Sequence, residues 1–184
     1  DSFAERAESN RIAVVPIVPN RGLIKDRNGV VLASNYSAYT LEITPSKVAD
    51  VEATIDDLAR LVQIEARDRR RFKRLREESK NFESLPIRTK LTEEEVARFT
   101  AQRFRFPGVE IKARLFRNYP YGELASHVLG YIGRINQKEA KALEEDEDTA
   151  VAANYNGTDH IGKEGLEKRY ESYLHGTTGY EAVE

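Results

Sequence analysis

Alternating apolar and polar residues mark the strands of this chain. Residues 39–44 and 109–116 alternate between the two kinds of side chain, which predicts two half-buried strands. Ile12 to Val18 is an apolar run interrupted by Pro16, and because proline cannot donate to a sheet ladder, this run predicts an edge strand. Shorter apolar runs predict further strands at residues 30–32, 85–90, 131–135 and 180–184.

Apolar residues three or four positions apart predict the helices. Residues 48–64 carry one apolar face of this spacing. Thr92 and Glu95 have the spacing of a capping box and predict a helix start, and Pro107-Gly108 ends that helix. Other predicted helices span residues 67–80, 123–129, 136–148 and 163–174, whereas residues 149–160 predict a loop and residues 1–10 a helical stub or a frayed end.

Taken together, these elements predict an α+β fold with mixed strands. Residues 46–108 form a mainly helical insertion between two predicted strands. With 184 residues, of which 40% are hydrophobic, the chain can bury one core or hold two small lobes.

A charged, turn-forming segment lies between the first two predicted strands. Its sequence is Arg21-Gly22-Leu23-Ile24-Lys25-Asp26-Arg27-Asn28-Gly29. Asn28-Gly29 is a strong hairpin signal, because both residue types accept positive φ. The bend gathers Arg21, Asp26 and Arg27, whose charges can clasp other parts of the chain. A solvated hairpin tip is the plainer interpretation of the same residues.

Two later segments complete an ordered set of motifs. They are Arg117-Asn118-Tyr119-Pro120-Tyr121-Gly122 and Gly162-Lys163-Glu164-Gly165-Leu166-Glu167-Lys168-Arg169-Tyr170. With residues 21–29, they resemble the R-G-x-I-x-D-R-N-G, R-x-Y-P-x-G and G-x-x-G-L-E-x-x-Y motifs of the non-catalytic N-terminal module of class B penicillin-binding proteins, and the elongation transpeptidases are the nearest group within that class. Residues 124–133 add a fourth match, and the resemblance covers about Arg11 to Glu184. Three ordered motifs are far more specific than one short pattern.

The resemblance implies an elongated two-lobe pedestal, also called a dimerisation domain. Residues 11–45 and 109–184 would form its anchor lobe, and residues 46–108 a head lobe inserted into the anchor. Residues 1–10 would be a juxtamembrane stub, next to a transmembrane helix that lies outside this chain, as does the transpeptidase domain. The absence of methionine agrees with a piece excised from a longer protein.

A function is implied by the same resemblance. The pedestal would be a non-catalytic module on the periplasmic side of the bacterial inner membrane, which positions a D,D-transpeptidase domain that cross-links peptidoglycan during cell-wall elongation. The implied partners are that transpeptidase domain, a SEDS-family glycosyltransferase (RodA-like) and the scaffold protein MreC, and a homodimer is one further option. The resemblance implies no cofactor and no nucleic acid.

The three motifs supply the candidate structural site. We predict that Arg21 or Arg27 pairs with Glu167, because opposite charges on a turn and on a helix can hold distant segments together. The full set of residues predicted for this structural site is Arg21, Gly22, Asp26, Arg27, Asn28, Gly29, Arg117, Tyr119, Pro120, Gly122, Gly162, Gly165, Leu166, Glu167 and Tyr170.

Charge and composition narrow the range of partners. The net charge of −2 and the isoelectric point near 6.1 give no global case for nucleic acid or an anionic membrane as a partner. Zero cysteines exclude a disulfide framework and thiol chemistry. No apolar run approaches the roughly 18 residues expected of a membrane-spanning helix.

The motifs of penicillin-reactive serine enzymes are missing from this chain. It contains no Ser-x-x-Lys and no Lys-Thr-Gly, and Ser79-Lys80-Asn81 matches Ser-x-Asn only at a predicted helix end. His127, His160 and His175 fall on separate predicted elements without the spacing of metal ligands. We therefore predict neither acylation by penicillin nor a metal site.

A basic run raises an alternative function. Residues 69–76 hold six basic side chains in eight positions, which is most simply a solvated helix face. The alternative is a self-contained periplasmic module that binds glycan or an anionic membrane surface through this run, in which case binding collapses as ionic strength rises.

The candidate partner contacts are Arg70, Arg71 and Arg74, and also Leu85, Ile87, Val96 and Phe99 if the core leaves them exposed.

Overall fold

The computed structural model describes residues 13–183. Its strands are β1 (Ala13–Ile17), β2 (Ile24–Lys25), β3 (Val31–Ile43), β4 (Leu85–Arg88), β5 (Val109–Asn118), β6 (Ile132–Arg134), β7 (His160–Gly162) and β8 (Gly179–Val183). Its α-helices are α1 (Val51–Leu58), α2 (Ala66–Glu78), α3 (Glu93–Gln102), α4 (Ser126–Leu129), α5 (Gln137–Glu144), α6 (Thr149–Asn154), α7 (Gly165–Arg169) and α8 (Glu171–Leu174). Short 3₁₀ helices occupy Pro45–Lys47, Arg103–Arg105 and Gly122–Ala125. The stub predicted at residues 1–10 lies outside the described residues.

The mixed α+β fold class is confirmed, and local capping explains where several helices begin. At the start of α3, the Thr92 hydroxyl accepts a hydrogen bond from the Glu95 amide, and the Glu95 carboxylate accepts one from the Thr92 amide, each at 3.2 Å. This is the capping box that the sequence predicts. Asn136 caps α5 in the same way, with Glu139 as its partner.

Two predictions of secondary structure are wrong. The predicted loop at residues 149–160 contains helix α6, because the Asp148 carboxylate accepts from the Ala150 amide at 3.0 Å and caps it. The strands predicted at residues 30–32 and 39–44 are one 13-residue strand, β3. This strand pairs with β2, β4 and β5, and the long pairing holds the intervening residues in the sheet.

The chain divides into two compact units. We call Tyr36–Phe116 the core unit, and we call the chain up to Asn35 together with the chain from Arg117 onward the motif unit. The sequence placed the boundaries after residue 45 and before residue 109, at the ends of strands. The compact units divide inside β3 and β5, because both strands run without a break past those positions. The assignment of these units as head and anchor stays a prediction.

The core unit surrounds an apolar cluster in which strands and helices pack together. Its members include Leu41 and Ile43 of β3, Phe72 of α2 and Phe99 of α3. Leu85 and Ile87 of β4 are fully buried in this cluster, and Phe99 is 2% exposed. The prediction that Leu85, Ile87 and Phe99 contact a partner is therefore wrong, because their side chains are buried in the core and a partner cannot reach them. Val96 is half-buried on α3.

Two small antiparallel sheets belong to the motif unit. Strands β1 and β8 pair with Ala13 opposite Val183 and Ile17 opposite Gly179, which confirms the strands predicted at these two places. Strands β6 and β7 pair with Ile132 opposite Gly162. Helix α7 packs against α4 and β7, which brings the third motif to the fourth matched segment, residues 124–133.

Candidate functional site

The motif unit is organised around the buried carboxylate of Glu167. This residue lies on α7 and has no solvent exposure. Arg21 donates from Nε to Glu167 Oε2 at 2.7 Å, and Arg117 donates from Nε to Glu167 Oε1 at 2.8 Å. We call this group of three charged side chains the clasp. One residue from each of the three motifs meets in it.

Arg117 is the more deeply buried of the two arginines. Its side chain is 2% exposed, compared with 12% for Arg21. Arg117 Nη1 donates to the Gly22 carbonyl at 2.8 Å and to Asn35 Oδ1 at 3.1 Å. Arg117 Nη2 is buried with no hydrogen-bond partner among residues 13–183. Glu167 is therefore the main counter-charge of the Arg117 guanidinium, which is buried away from water.

Arg21 connects the clasp to helix α8. Its Nη2 donates to the Glu167 carbonyl at 2.9 Å, and its Nη1 donates to the Glu171 carboxylate. Burial alone lowers the pKa of Arg21, but Glu171 and Glu167 outweigh burial and hold this pKa above its ordinary value. The Gly22 amide donates to the Leu174 carbonyl at 2.7 Å, so backbone contacts reinforce the side-chain contacts at the same place.

The second motif builds a turn that presents Arg117 and Tyr119 to Glu167. The Gly122 amide donates to the Tyr119 carbonyl at 2.9 Å, which closes a turn with Pro120 at its second position. Proline is favoured there because its fixed φ suits the turn. The Tyr119 hydroxyl donates to Glu167 Oε1 at 3.3 Å. Burial, and after it the charge of Glu167, raises the pKa of Tyr119 to about 12.

We expect Tyr119→Phe to destabilise the chain by about 0.5 to 1.5 kcal/mol, because the change removes one hydrogen bond to a buried carboxylate that both arginines still hold. Tyr121→Phe is the matched control, since Tyr121 lies in the same turn and is half exposed. Urea unfolding followed by circular dichroism measures both variants. Equal midpoints for the two variants would show that the Tyr119 hydroxyl contributes nothing.

The glycines of the third motif permit close approach of backbone segments. A Cβ atom at Gly162 would lie 2.1 Å from the Glu167 carbonyl oxygen, so only glycine lets β7 pass this close to α7. Gly130, in the fourth matched segment, has φ of 71° and a Cβ position 1.9 Å from the Glu164 carbonyl oxygen. The helix predicted at residues 123–129 ends just before Gly130, as expected of a glycine at a helix end, but the contact of Gly130 with the third motif was not predicted.

Half of the first motif serves a turn and takes no part in the clasp. The Asp26 carboxylate accepts from the Asn28 amide at 2.8 Å and from the Val30 amide at 2.9 Å. Gly29 has φ of 82°, whereas Asn28 has a negative φ. Arg27 is exposed and forms no ion pair with any residue from 13 to 183. The predicted pairing with Glu167 is thus made by Arg21 and not by Arg27.

Other predicted motif residues support the helix that carries Glu167. The Tyr170 amide donates to the Leu166 carbonyl at 3.0 Å at the end of α7. Leu166 is half-buried, and the Tyr170 side chain is 46% exposed. Gly165 begins α7 with φ of 61°. These residues shape the backbone around Glu167, and their side chains make no contact with its carboxylate among the described interactions.

The core unit contains a second buried acid, which the sequence pattern did not predict. Glu42 on β3 is 2% exposed, and Arg114 of β5 donates to its two oxygens at 2.9 and 2.7 Å. Thr40 and Ser84 donate to the same carboxylate at 2.6 and 3.0 Å. Although burial opposes the charged form, these donors lower the pKa of Glu42 below its ordinary value. The alternation of residues 39–44 assigned Glu42 to a solvent face, and that assignment is wrong.

The basic run is partly neutralised within the core unit. Arg69 pairs with Asp56 at 2.8 Å, and Arg71 pairs with Asp68 at 2.9 Å. Arg71 also donates to the Ile87 carbonyl at 3.2 Å, which fixes it against the core. Arg70 and Arg74 are exposed on α2. The predicted contact surface of this run is therefore reduced to its outward-facing residues.

The part of the chain that the structure describes contains no group of three or more His, Asp or Glu side chains that could hold a metal ion. Among residues 13–183, no helix is long and apolar enough to cross a membrane. The clasp brings opposite charges together in a buried contact. Such a contact holds segments of chain in place.

Comparison with protein families gives one matching model. The model of the penicillin-binding protein dimerisation domain matches residues 16–184. All three motifs lie inside the matched region.

Comparison with individual proteins gives relatives and a structural neighbour. Peptidoglycan D,D-transpeptidase MrdA of Escherichia coli is 46% identical over 182 residues, which are 99% of this chain and 28% of the relative. MrdA of Acinetobacter baumannii is 42% identical over 184 residues, which are all of this chain and 26% of the relative. The solved complex of penicillin-binding protein 2 and MreC from Helicobacter pylori aligns with a TM-score of 0.72 at 24% identity, covering 94% of this chain and 31% of that chain. The chain thus spans little more than a quarter of the length of these two relatives.

Proposed function

Because this chain belongs to the penicillin-binding protein dimerisation domain family, we propose that it is the non-catalytic pedestal of a peptidoglycan D,D-transpeptidase of the penicillin-binding protein 2 type. The observation that carries this proposal is the clasp, in which Arg21, Arg117 and Glu167 join the three motifs in one buried contact. A unit held together in this way is a stable support for a neighbouring catalytic domain.

The proposed setting is the periplasmic side of the bacterial inner membrane, with a membrane anchor and the transpeptidase domain elsewhere in the parent protein. In this setting the motif unit serves as the anchor lobe and the core unit as the head lobe. The pedestal positions its own transpeptidase domain and binds the elongation partners, a RodA-like SEDS glycosyltransferase and MreC. The MreC complex of the Helicobacter pylori neighbour supports the second of these partners.

Positioning of the catalytic domain is tested in the full-length parent. We expect Glu167→Gln to leave acylation by a fluorescent penicillin intact, because the reactive serine lies outside this chain, and to reduce peptidoglycan cross-linking several-fold. Glu164→Gln is the control, since Glu164 is exposed at the start of the same helix. A folded Glu167→Gln parent that cross-links as well as the control contradicts the positioning role.

Binding of MreC is tested with the 184-residue chain and the soluble periplasmic part of MreC. We expect saturable binding in sedimentation velocity, and we expect it to weaken in Glu167→Gln and not in Glu164→Gln. A chain that is folded by circular dichroism and that does not bind MreC at any accessible concentration removes MreC from the proposed partners.

We expect no covalent adduct between this chain and a fluorescent penicillin, because the chain lacks both Ser-x-x-Lys and Lys-Thr-Gly. Intact-mass spectrometry after incubation with excess reagent measures this. A penicillin-reactive serine enzyme treated in parallel shows that the reagent is active. A stoichiometric mass increase of this chain would overturn the expectation.

A further inference from the structure

The motif unit contains a preformed pocket of about 160 Å³ between helices α5 and α6. Its lining includes the apolar side chains Ile135, Leu143 and Ala152, and the ring of Tyr155. All of these residues are only half-buried, so solvent reaches the apolar lining. A cavity of about 150 Å³ accommodates a molecule the size of benzene, and this pocket therefore has room for one leucine or phenylalanine side chain.

One wall of the pocket is fixed by polar contacts. The Tyr155 ring stacks on His175 with centroids 4.1 Å apart, and the Tyr155 hydroxyl donates to Glu171 at 3.3 Å. Thr158 also lines the pocket, and its hydroxyl oxygen lies 3.1 Å from His175 Nε2. These contacts hold the wall in place before any ligand arrives, which lowers the entropic cost of binding.

The pocket has an acidic rim where Glu144 begins an acidic segment of the chain. Glu144 belongs to the lining, is exposed, and is the first of five consecutive acidic residues, 144–148. Glu145 pairs with Lys141 at 3.6 Å, and Asp148 caps α6. Glu144, Asp146 and Glu147 form no ion pair within residues 13–183. Glu144 thus brings a negative charge without an ion-pair partner to the accessible apolar pocket, and Asp146 and Glu147 follow it closely in the sequence.

We propose that this pocket docks a segment of a partner protein in which one apolar side chain is flanked by lysine or arginine. The apolar side chain fills the space lined by Ile135, Leu143 and Ala152, and the flanking cations meet the acidic rim. The same rim disfavours an anionic membrane or an anionic glycan by like-charge repulsion. The proposal does not depend on the pedestal role, because pocket and rim are features of this chain alone.

The test uses the 184-residue chain, labelled with ¹⁵N, and an acetylated and amidated Lys-Lys-Leu-Lys-Lys peptide. Amide shifts are followed by nuclear magnetic resonance at 150 mM salt. We expect saturable shifts at amides around Ile135, Leu143 and Ala152. A peptide with alanine in place of leucine should bind tenfold or more weakly, since most of the buried apolar surface is lost. A Glu-Glu-Leu-Glu-Glu peptide should not bind.

Variants of the chain separate the pocket from general charge attraction. Ala152→Leu fills the pocket and should abolish binding of the leucine peptide. Glu144→Lys reverses the charge of an exposed residue in the lining, and it should weaken binding several-fold more than Glu123→Lys, which alters an exposed acid outside the pocket lining. If the alanine peptide binds as tightly as the leucine peptide, or if Glu144→Lys and Glu123→Lys weaken binding equally, the proposal is wrong.

Discussion

Replacing Glu167 with glutamine is expected to destabilise the chain by about 3 to 5 kcal/mol, because it leaves Arg117 buried without a counter-charge. For a chain of this size, each kcal/mol corresponds to about 2 to 4 °C in melting temperature, so the transition should fall by roughly 6 to 20 °C. Arg21 keeps Glu171 as a partner, and the loss therefore falls mainly on Arg117. Thermal unfolding followed by circular dichroism measures the shift.

Glu164→Gln is the matched control for this change. It alters the same residue type three positions earlier, on the exposed side of the α7 start, and should stay within about 0.5 kcal/mol of the parent chain. The double variant Arg117→Leu/Glu167→Leu removes both charges and should be less destabilised than the sum of its single variants. A Glu167→Gln melt equal to that of Glu164→Gln would refute a stabilising clasp.

The second large effect is expected at Glu42 in the core unit. Glu42→Gln removes the charge that Arg114, Thr40 and Ser84 surround. Arg114 is about one-third exposed, with 34% of its side chain accessible, so part of its charge can be hydrated after the change. We expect a loss of about 2 to 4 kcal/mol, between the values typical of exposed and of fully buried pairs. Glu110→Gln, on an exposed position of β5, is the control.

The lowered pKa of Glu42 also predicts a dependence on pH. An ordinary glutamate titrates near pH 4.5, and in the folded chain this carboxyl titrates at a lower pH. Between the two values, the unfolded chain binds the proton and the folded chain does not, so stability falls as the pH falls. The stabilisation is complete above about pH 4.5 and is lost as pH falls through the folded pKa. Urea midpoints from pH 7 to pH 3 should fall more steeply for the parent chain than for Glu42→Gln, and parallel curves would reject the coupling.

Local signals explain what the sequence predicts correctly. The capping box at Thr92 and Glu95 depends on residues close in the chain, and the structure forms it. The pairing of Arg21 with Glu167 is long-range. It could be predicted because the order of the motifs indicated which charges belong together. Arg117 was predicted as a residue of this site, but its pairing with Glu167 was not, because no local pattern shows that two arginines share one carboxylate.

Glu42 shows why other features of the structure could not be predicted from the sequence. Period-two alternation assigns every second residue of a strand to solvent, and this assignment holds only when one face of the sheet is uncovered. In β3 four successive residues from Thr40 to Ile43 are buried. The burial of this acid is tolerable because Arg114, Thr40 and Ser84 donate to it. Arg114 reaches Glu42 through the pairing of β3 with β5, two strands far apart in the sequence.

The pairing of β1 with β8 has a mechanical consequence. Ala13 lies opposite Val183 at one end of the ribbon, and Ile17 lies opposite Gly179 at the other. A pulling force applied at residues 13 and 183 therefore acts on the open end of the ribbon and across its strands. In this unzipping geometry the hydrogen bonds break one pair after another. In a shear geometry all of them would carry the force together. In an optical-tweezers experiment with handles at these two residues, the ribbon should be the first element to open, before the core unit or the rest of the motif unit yields.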